Sequence, residues 1–478
     1  MSQHDRYRPQ VHFTPPANWM NDPNGCLVHN GVYHLFYQYH PGSLQWGPMH
    51  WGHATSTDLL HWTHQPVALY PDPQLGMAFS GSAINDRENV SGLFDDEHGL
   101  LAFYTAHRDS PDGQDALQQQ CLAVSYDQGQ TWIPYEGNPV VPNPGVKDFR
   151  DPKVFFHTPS QHWVMVVVAG QQVHFYRSGN LRDWQFSGTF GKYQGHDSVV
   201  WECPDLLELS DEQGNRHWVL FVSGVTPADE PFPPMQYFVG HFDGHTFTET
   251  QPHSDVNRVD AGADFYAAQS FHGTVDHDGR SIWIAWANHW TYANDTPADS
   301  WRGLMSLPRE LSLVTRHGQL CLRQQVVREF TARLTEAVRH VGSGRWMLPV
   351  PNNAQWFQLS IPATTRNTIQ FVLNNIDGDR LCLQWQPELK TLTLDRTGIA
   401  SSAFHERFNQ PCQVDLSTAM TDEIGLEVCL IVDRCSAEVF ALNGQVAMTC
   451  QLFPEQPFDR AELIADDNVF VDQAHLKD

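Results

Sequence analysis

Ser56-Thr57-Asp58-Leu59-Leu60-His61-Trp62 decides the fold once it is set beside three later stretches of similar wording. These are Ser125-Tyr126-Asp127-Gln128-Gly129-Gln130-Thr131-Trp132, Ser178-Gly179-Asn180-Leu181-Arg182-Asp183-Trp184 and Phe242-Asp243-Gly244-His245-Thr246-Phe247. Each reads as a hairpin turn that ends in an aromatic, and they recur at intervals of roughly 50–70 residues, close to the period of propeller blades. Around them lie runs rich in β-formers: Val32-Tyr33-His34-Leu35-Phe36-Tyr37-Gln38-Tyr39, Leu100-Leu101-Ala102-Phe103-Tyr104-Thr105 and Trp163-Val164-Met165-Val166-Val167-Val168. Trp218-Val219-Leu220-Phe221-Val222-Ser223 and Ser281-Ile282-Trp283-Ile284-Ala285-Trp286 continue the series. Gly, Pro, Asn or Asp bounds each run, and long helical periodicity is missing from Val11 to about Arg316. The reading is all-β, with a β-propeller over residues 1–316.

Near Arg316 the character changes. Gln324-Gln325-Val326-Val327-Arg328-Glu329-Phe330 and Leu334-Thr335-Glu336-Ala337-Val338 read as a short helix or an irregular linker, placed at 317–340. Beyond it come short alternating strands such as Phe357-Gln358-Leu359-Ser360-Ile361 and Thr391-Leu392-Thr393-Leu394-Asp395, with turn signals at Asp377-Gly378 and Asn443-Gly444. That pattern predicts a β-sandwich over 341–478. Two domains also suit a chain of 478 residues, which exceeds a comfortable single core.

The net charge of −26 argues against a nucleic-acid or acidic-membrane partner, because phosphate is bound by Lys and Arg. It also disfavours an anionic substrate and is compatible with a neutral carbohydrate. Sixteen Trp exceed what packing needs, and such an excess suits either a sugar-binding cleft or a β-rich core. Nine scattered Cys without a CxxC pair fit reduced thiols, and residues 1–8 carry no apolar signal-peptide core, so a cytoplasmic location is expected. Self-association is left open.

Three carboxylates occupy unusual settings: Asp22 in Trp19-Met20-Asn21-Asp22-Pro23-Asn24-Gly25, Asp151 in Phe149-Arg150-Asp151-Pro152, and Glu202 in Trp201-Glu202-Cys203-Pro204-Asp205. Each reads as a tight turn, because proline drives the residue before it out of helical space. Alone, each is a plain turn sequence. Together they offer the pair of acids that glycosidic hydrolysis requires, plus a third. Asp22 is read as the nucleophile, held ionised by turn amides and by Asn21 and Asn24. Glu202 is read as the acid/base, with its pKa raised between Trp201 and Cys203. Asp151 is read as the group that grips sugar hydroxyls, kept ionised by Arg150.

The same trio resembles that of the glycoside hydrolases that cleave β-fructofuranosides, glycoside hydrolase family 32, which includes invertases, levanases and exo-inulinases. The resemblance runs along nearly the whole chain and implies five blades around a funnel with the acids at its mouth. It implies a retaining mechanism through a covalent fructosyl–enzyme at Asp22, and no metal or organic cofactor. Gln38, Trp46, Phe79, Ser80 and Trp290 match the family's substrate-contacting positions, and Asn21 and Arg150 flank the acids. The segment 433–440, Asp433-Arg434-Cys435-Ser436-Ala437-Glu438-Val439-Phe440, matches the family's C-terminal module. His50-x-x-His53 and His61-x-x-His64 have spacings that suit zinc, but no HExxH or Cys partner accompanies them. The expected activity is exo-acting hydrolysis of terminal non-reducing fructose from sucrose and short fructo-oligosaccharides. Rivals are levanase or exo-inulinase action on polymers, fructosyl transfer, an inverting arabinan-type propeller enzyme, and a non-catalytic sugar binder.

Overall fold

The computed structural model describes residues 6–95, 98–110, 116–196, 199–225, 235–251, 256–421 and 423–477. Five antiparallel sheets form the blades of a propeller. Blade 1 runs Asn18–His29, Val32–His40, His50–Ser56 and Thr63–Leu69 from the axis outward; blade 2 runs Met77–Asp86, Gly99–Arg108, Leu117–Ser125 and Ile133–Pro134. Blade 3 is Phe149–His157, His162–Ala169, Val173–Ser178 and Gln185–Phe190, and blade 4 is Trp201–Ser210, Arg216–Gly224, Gln236–Phe242 and Phe247–Glu249. Blade 5 is Tyr266–Ser270, Ser281–Trp286, Arg309–Arg316 and Gln319–Val326. The ring closes where Trp301–Arg302 pairs in parallel with Asn18 and Trp19 of blade 1.

The five β-rich runs are the second strands, one per blade. A second strand is flanked by strands on both edges and by neighbouring blades on both faces, so it needs apolar residues at nearly every position. Every residue after the first is buried in His162–Ala169. The repeated Ser/Asp-to-aromatic stretches are the loops between third and fourth strands of blades 1 to 4. In each, a side-chain oxygen caps the turn: Asp58 Oδ1 accepts from the N–H of Leu60 and His61, and Asp127 Oδ1 from that of Thr131. Asn180 Oδ1 accepts from Asp183 N–H, and Asp243 Oδ1 from those of His245 and Thr246. Where the aromatic is Trp, its indole N–H closes the loop on the carbonyl of Leu59, Gly129 or Leu181. Blade 5 makes this connection with His317-Gly318 alone, both at positive φ, so it carries no copy of the repeat.

Two readings change. The three acid-bearing stretches are not turns that end strands; they lie inside the innermost strands of blades 1, 3 and 4. The supposed linker at 317–340 holds the outer strand of blade 5, Gln319–Val326, then the one-turn helix Arg328–Ala332 and the start of the strand Val338–Pro349.

The C-terminal strands form two sheets joined by one long strand, Arg460–His475. Its first part pairs with Ile369–Asn374 and so with Arg380–Gln386, Thr391–Gly398 and Cys412–Asp415. Its last part pairs with Gln355–Ile361 and so with Leu426–Asp433, Ser436–Ala441 and Val446–Gln451. Val338–Pro349 covers its other edge throughout. The aliphatic and aromatic residues between the sheets, among them Phe357, Phe371, Leu383, Leu430 and Leu463, make a separate sandwich core.

The two domains meet across buried charge. Arg309 of blade 5 is fully buried and pairs with Glu438 at 2.7 Å and Asp260 at 3.0 Å, between the rings of Phe265 and Phe440. His12 bridges Asp433 at 2.9 Å and Glu438 at 3.0 Å. The 433–440 segment is therefore the sandwich half of an interdomain clamp.

Candidate active site

Each acid reaches the funnel because its strand is bulged at the end nearest the mouth. The pairing register slips between Met20 and Pro23 and again between Asn24 and Leu27 in blade 1, opposite Val166/Val168 in blade 3, and between Glu202 and Asp205 in blade 4. Gly25, Asp151 and Cys203 take positive φ at these sites, the left-handed geometry that bulges use to re-aim a side chain. Blades 2 and 5 carry equivalent slips at Phe79/Gly81 and Tyr266/Gln269. At Gly81 a Cβ would sit 1.9 Å from the Phe103 carbonyl oxygen, so only glycine allows that strand to pass. Five bulged strands thus direct residues from all five blades to one point.

Beneath that point a polar pin holds the inner strands together. Lys153, two residues after Asp151, donates to Asp205 Oδ2 at 3.2 Å and to Ser270 O at 2.9 Å, and Ser270 N–H donates to the same Asp205 oxygen at 2.6 Å. Blades 3, 4 and 5 are joined below the acids by this buried ion pair.

Above the pin lies a cavity of about 280 Å³. Asn21, Asp22, Gln38, Trp46, Phe79, Ser80, Arg150, Asp151, Glu202 and Trp290 all line it, and among the described residues Val225 is the one further lining residue. Asp22 and Asp151 are buried, and the Cys203 thiol touches both, 3.5 Å from Asp22 Oδ2 and 3.6 Å from Asp151 Oδ2. Ser80 O–H donates to Asp22 Oδ2 at 2.7 Å, and Cys203 N–H to Asp151 Oδ2 at 2.9 Å. Asp151 N–H in turn donates to Thr105 Oγ1 at 2.8 Å, which fixes the bulge.

Glu202 stands nearer the opening, with its side chain 17% exposed. Arg150 Nη2 donates to Glu202 Oε1 at 2.8 Å, and Tyr266 O–H donates to Glu202 Oε2. This corrects two expectations. The Glu202 carboxyl is gripped by a cation and a phenol instead of lying among apolar groups, and Arg150 spends its hydrogen bonds on Glu202, Asp148 and Gln118, none on Asp151.

Burial pushes the Asp22 carboxyl up to about 6, and the Glu202 charge adds to this, while hydrogen bonds from Ser80, Asn21 and Cys203 pull the other way. Burial likewise pushes Asp151 up to about 7; the Arg150 charge opposes this, and the Glu202 and Asp22 charges reinforce it. Both aspartates were expected to be held ionised by their neighbours, whereas burial favours the protonated form of each. Asn21 Oδ1 is occupied by the Trp19 indole N–H at 2.8 Å, so that amide oxygen is fixed.

The walls are aromatic. Trp46 stands at the rim, 41% exposed, with its ring edge-on to Phe79 and its backbone N–H donating to Asn294 Oδ1 at 3.0 Å. Phe79 stacks on His107 at 4.1 Å. Trp290 is held by Trp286 and Trp19, with centroids 4.8 Å and 6.1 Å away. Gln38 is anchored by donating to the Ala78 carbonyl at 3.0 Å. His50 and His53 diverge, His53 stacking on Phe36 and His50 meeting the Pro48 carbonyl. Sequence reasoning missed Tyr266, Thr105 and Val225. Of these only Tyr266 left a trace, a Tyr within Asp264-Phe265-Tyr266-Ala267 at the start of a strand, and that has no specific wording by itself.

Three acids at the mouth of a five-bladed funnel, set around one small aromatic-walled cavity, define a propeller glycosidase. The comparisons place it more narrowly. The chain matches the glycosyl hydrolases family 32 N-terminal domain over residues 12–324 and the family 32 C-terminal domain over residues 320–478. It belongs to glycoside hydrolase family 32 and is an enzyme of that family. It is 40% identical to a levanase of Bacillus subtilis over 96% of this chain and 68% of that protein. It is 36% identical to an extracellular exo-inulinase of Aspergillus niger over 96% and 92%. The crystal structure of exo-inulinase from Aspergillus awamori superposes with a TM-score of 0.90 at 33% identity, covering 98% of each chain. A β-fructofuranosidase of Schwanniomyces occidentalis, solved with fructosyl-erythritol, gives 0.86 at 28% identity, covering 99% of this chain and 98% of that one.

Proposed function

We propose that the protein is a retaining, exo-acting β-fructofuranosidase that removes terminal non-reducing fructose from sucrose and short fructo-oligosaccharides. The observation that carries this reading is the convergence of Asp22, Asp151 and Glu202 on one cavity of about 280 Å³. A pocket of that size, walled by Trp46, Phe79 and Trp290, suits one terminal ring in place of a threaded chain. Asp22 lies on the floor and Glu202 nearer solvent, which supports the division of labour. Protonated Glu202 gives its proton to the glycosidic oxygen as the bond to the anomeric carbon breaks, and the leaving sugar departs through the mouth. Asp22 attacks that carbon from the floor and forms the fructosyl ester. Glu202, now ionised, takes a proton from an incoming water, whose oxygen displaces Asp22 and releases fructose with retained configuration. The expected separation of the two carboxyls is about 5–5.5 Å. Asp151 and Arg150 orient the substrate and its acids, and Asp151 grips ring hydroxyls as positive charge develops.

Relatives named levanase and exo-inulinase favour a second reading, preferential action on fructan polymers. Incubation with sucrose, raffinose, inulin and levan, followed by product analysis, separates the two. Fructose as first product from every substrate supports exo action, and internal fragments from inulin or levan overturn it. Glu202→Gln is expected to lower kcat on sucrose by a factor of at least about 10³, within the range for losing a general acid. A cytoplasmic location is proposed on cysteine chemistry alone, since nine scattered Cys without a CxxC pair suit a reducing compartment. Thiol labelling of protein isolated under alkylating conditions tests it, and any protected pair counts against it.

A further inference from the structure

Tyr266 is the phenol that holds Glu202, and Trp290 is the far wall of the cavity. They sit on different segments of the chain, yet both are tied to one carboxylate outside the cavity. Asp264, two residues before Tyr266, is fully buried. Its Oδ1 accepts from Tyr292 O–H at 2.6 Å, and Tyr292 lies two residues after Trp290. Its Oδ2 accepts from Arg396 Nη1 at 2.6 Å and from Gln451 N–H at 2.8 Å, and both donors belong to the β-sandwich.

Arg396 is itself fixed on every side. Nε donates to the Phe408 carbonyl and Nη1 to the Gln451 carbonyl, each at 2.9 Å, and Nη2 reaches Tyr292 Oη at 3.3 Å. The guanidinium lies 3.6 Å over the Phe408 ring, and Tyr292 packs edge-on to the same ring at 5.2 Å. A planar cation with four of its five N–H donors committed and one face on an aromatic is a rigid strut, which a lysine cannot reproduce. Among the described residues the sandwich contributes none to the cavity, yet through this strut it fixes the backbone on which one site residue sits and the loop that carries another.

We propose that Arg396, Asp264 and Tyr292 form a positioning latch, through which the β-sandwich holds Tyr266 against Glu202 and Trp290 against the bound sugar. The latch has two outputs. The Asp264 branch sets the donor on Glu202 and therefore acts on the chemical step. The Tyr292 branch sets the Trp290 wall and therefore acts on substrate binding. The inference rests on the glycosidase reading of the site, and its test is built so that the two fail separately.

Sucrose kinetics are measured on the full chain carrying Arg396→Lys, Tyr292→Phe, Tyr266→Phe, and Arg396→Lys with Tyr266→Phe, beside Glu202→Gln, with near-ultraviolet circular dichroism confirming packing. Arg396→Lys is expected to lose on the order of ten- to a hundredfold in kcat/KM, the scale set by small misplacements of catalytic groups. The double variant is expected to have the kcat of Tyr266→Phe alone, because the second change removes what the first acts through. Tyr292→Phe keeps the ring and loses the bond to Asp264; it is expected to raise KM about fivefold with kcat changed much less, as for loss of uniform binding. Multiplying losses in the double variant, or wild-type KM in Tyr292→Phe, overturns the latch. If Arg396→Lys does not fold, the KM of Tyr292→Phe still decides. An inert Glu202→Gln beside unimpaired latch variants removes the latch alone, whereas wild-type turnover by Glu202→Gln removes the glycosidase reading itself.

Discussion

At the scale of single residues, the two buried aspartates set the pH behaviour. Asp22 must be ionised to attack, and burial pushes its carboxyl up to about 6 and that of Asp151 up to about 7. The reaction needs Asp22 ionised and Glu202 protonated together, so kcat/KM for sucrose is expected to fall as pH drops below about 6, and a profile that stays flat from pH 7 down to 4.5 would contradict it. Stability has the opposite slope. Both carboxyls bind a proton more tightly folded than unfolded, so their contribution is fully present below the ordinary value of 3.8 and is lost as pH rises through about 6 and 7. Asp151→Asn cannot ionise, so it should be more stable than the parent at pH 8 by a few kcal/mol, a gap that closes near pH 4 in urea titrations. The acids were legible in the sequence because Asp22 and Asp151 directly precede proline and Glu202 stands two residues before Pro204, in wording too particular for an ordinary loop. Their electrostatic setting was not legible. Arg150 adjoins Asp151 in the chain but crosses from blade 3 to blade 4 to pair with Glu202, a choice that the packing of blades makes.

At the scale of elements, strand position explains what could be read. Second strands are buried on both faces and spell long β-rich runs, so one from each blade was visible. Inner strands break their pattern with Pro, Gly and positive-φ bulges in order to aim side chains, so the same residues that make the site disguise the strand as a turn. Gly25 illustrates the constraint: its φ is +53°, and a Cβ there would lie 2.7 Å from the Phe36 ring and 2.9 Å from that of Trp51. Gly25→Ala is expected to cost at least about 1–2 kcal/mol from backbone geometry alone, and to lower kcat by displacing Asp22. A variant with parental midpoint and parental kcat would show that the bulge is not what aims the carboxylate. The Lys153–Asp205 pin offers a second check at this scale. Lys153→Met leaves Asp205 unpaired in the interior, and denaturant unfolding should register about 3–5 kcal/mol of lost stability.

At the scale of the whole molecule, the interdomain clamp makes stability depend on the charge of His12. Burial opposes that charge, but hydrogen bonds to Asp433 and Glu438 outweigh it and raise its pKa to about 9. Glu438 is held down to about 2, burial notwithstanding, by Arg309 and His12. The stabilisation from His12 is therefore complete below about 6.5 and is lost as pH rises through about 9, provided pH stays above the range in which Glu438 protonates. His12→Gln should lower the midpoint of thermal unfolding strongly at pH 6 and progressively less toward pH 10; a constant difference would place the effect in packing instead of charge. The boundary between the domains was the part of the architecture that sequence located least well, because the outer strand of blade 5 has polar residues on its exposed face and so reads as linker. The strand that unites both sandwich sheets, Arg460–His475, also orders events during synthesis. Every blade has left the ribosome before this strand does, while the two half-sheets that need it wait as open edges. A nascent chain stalled short of residue 460 would thus present a finished ring beside two sticky, unjoined ribbons, a form that chaperones would be expected to retain.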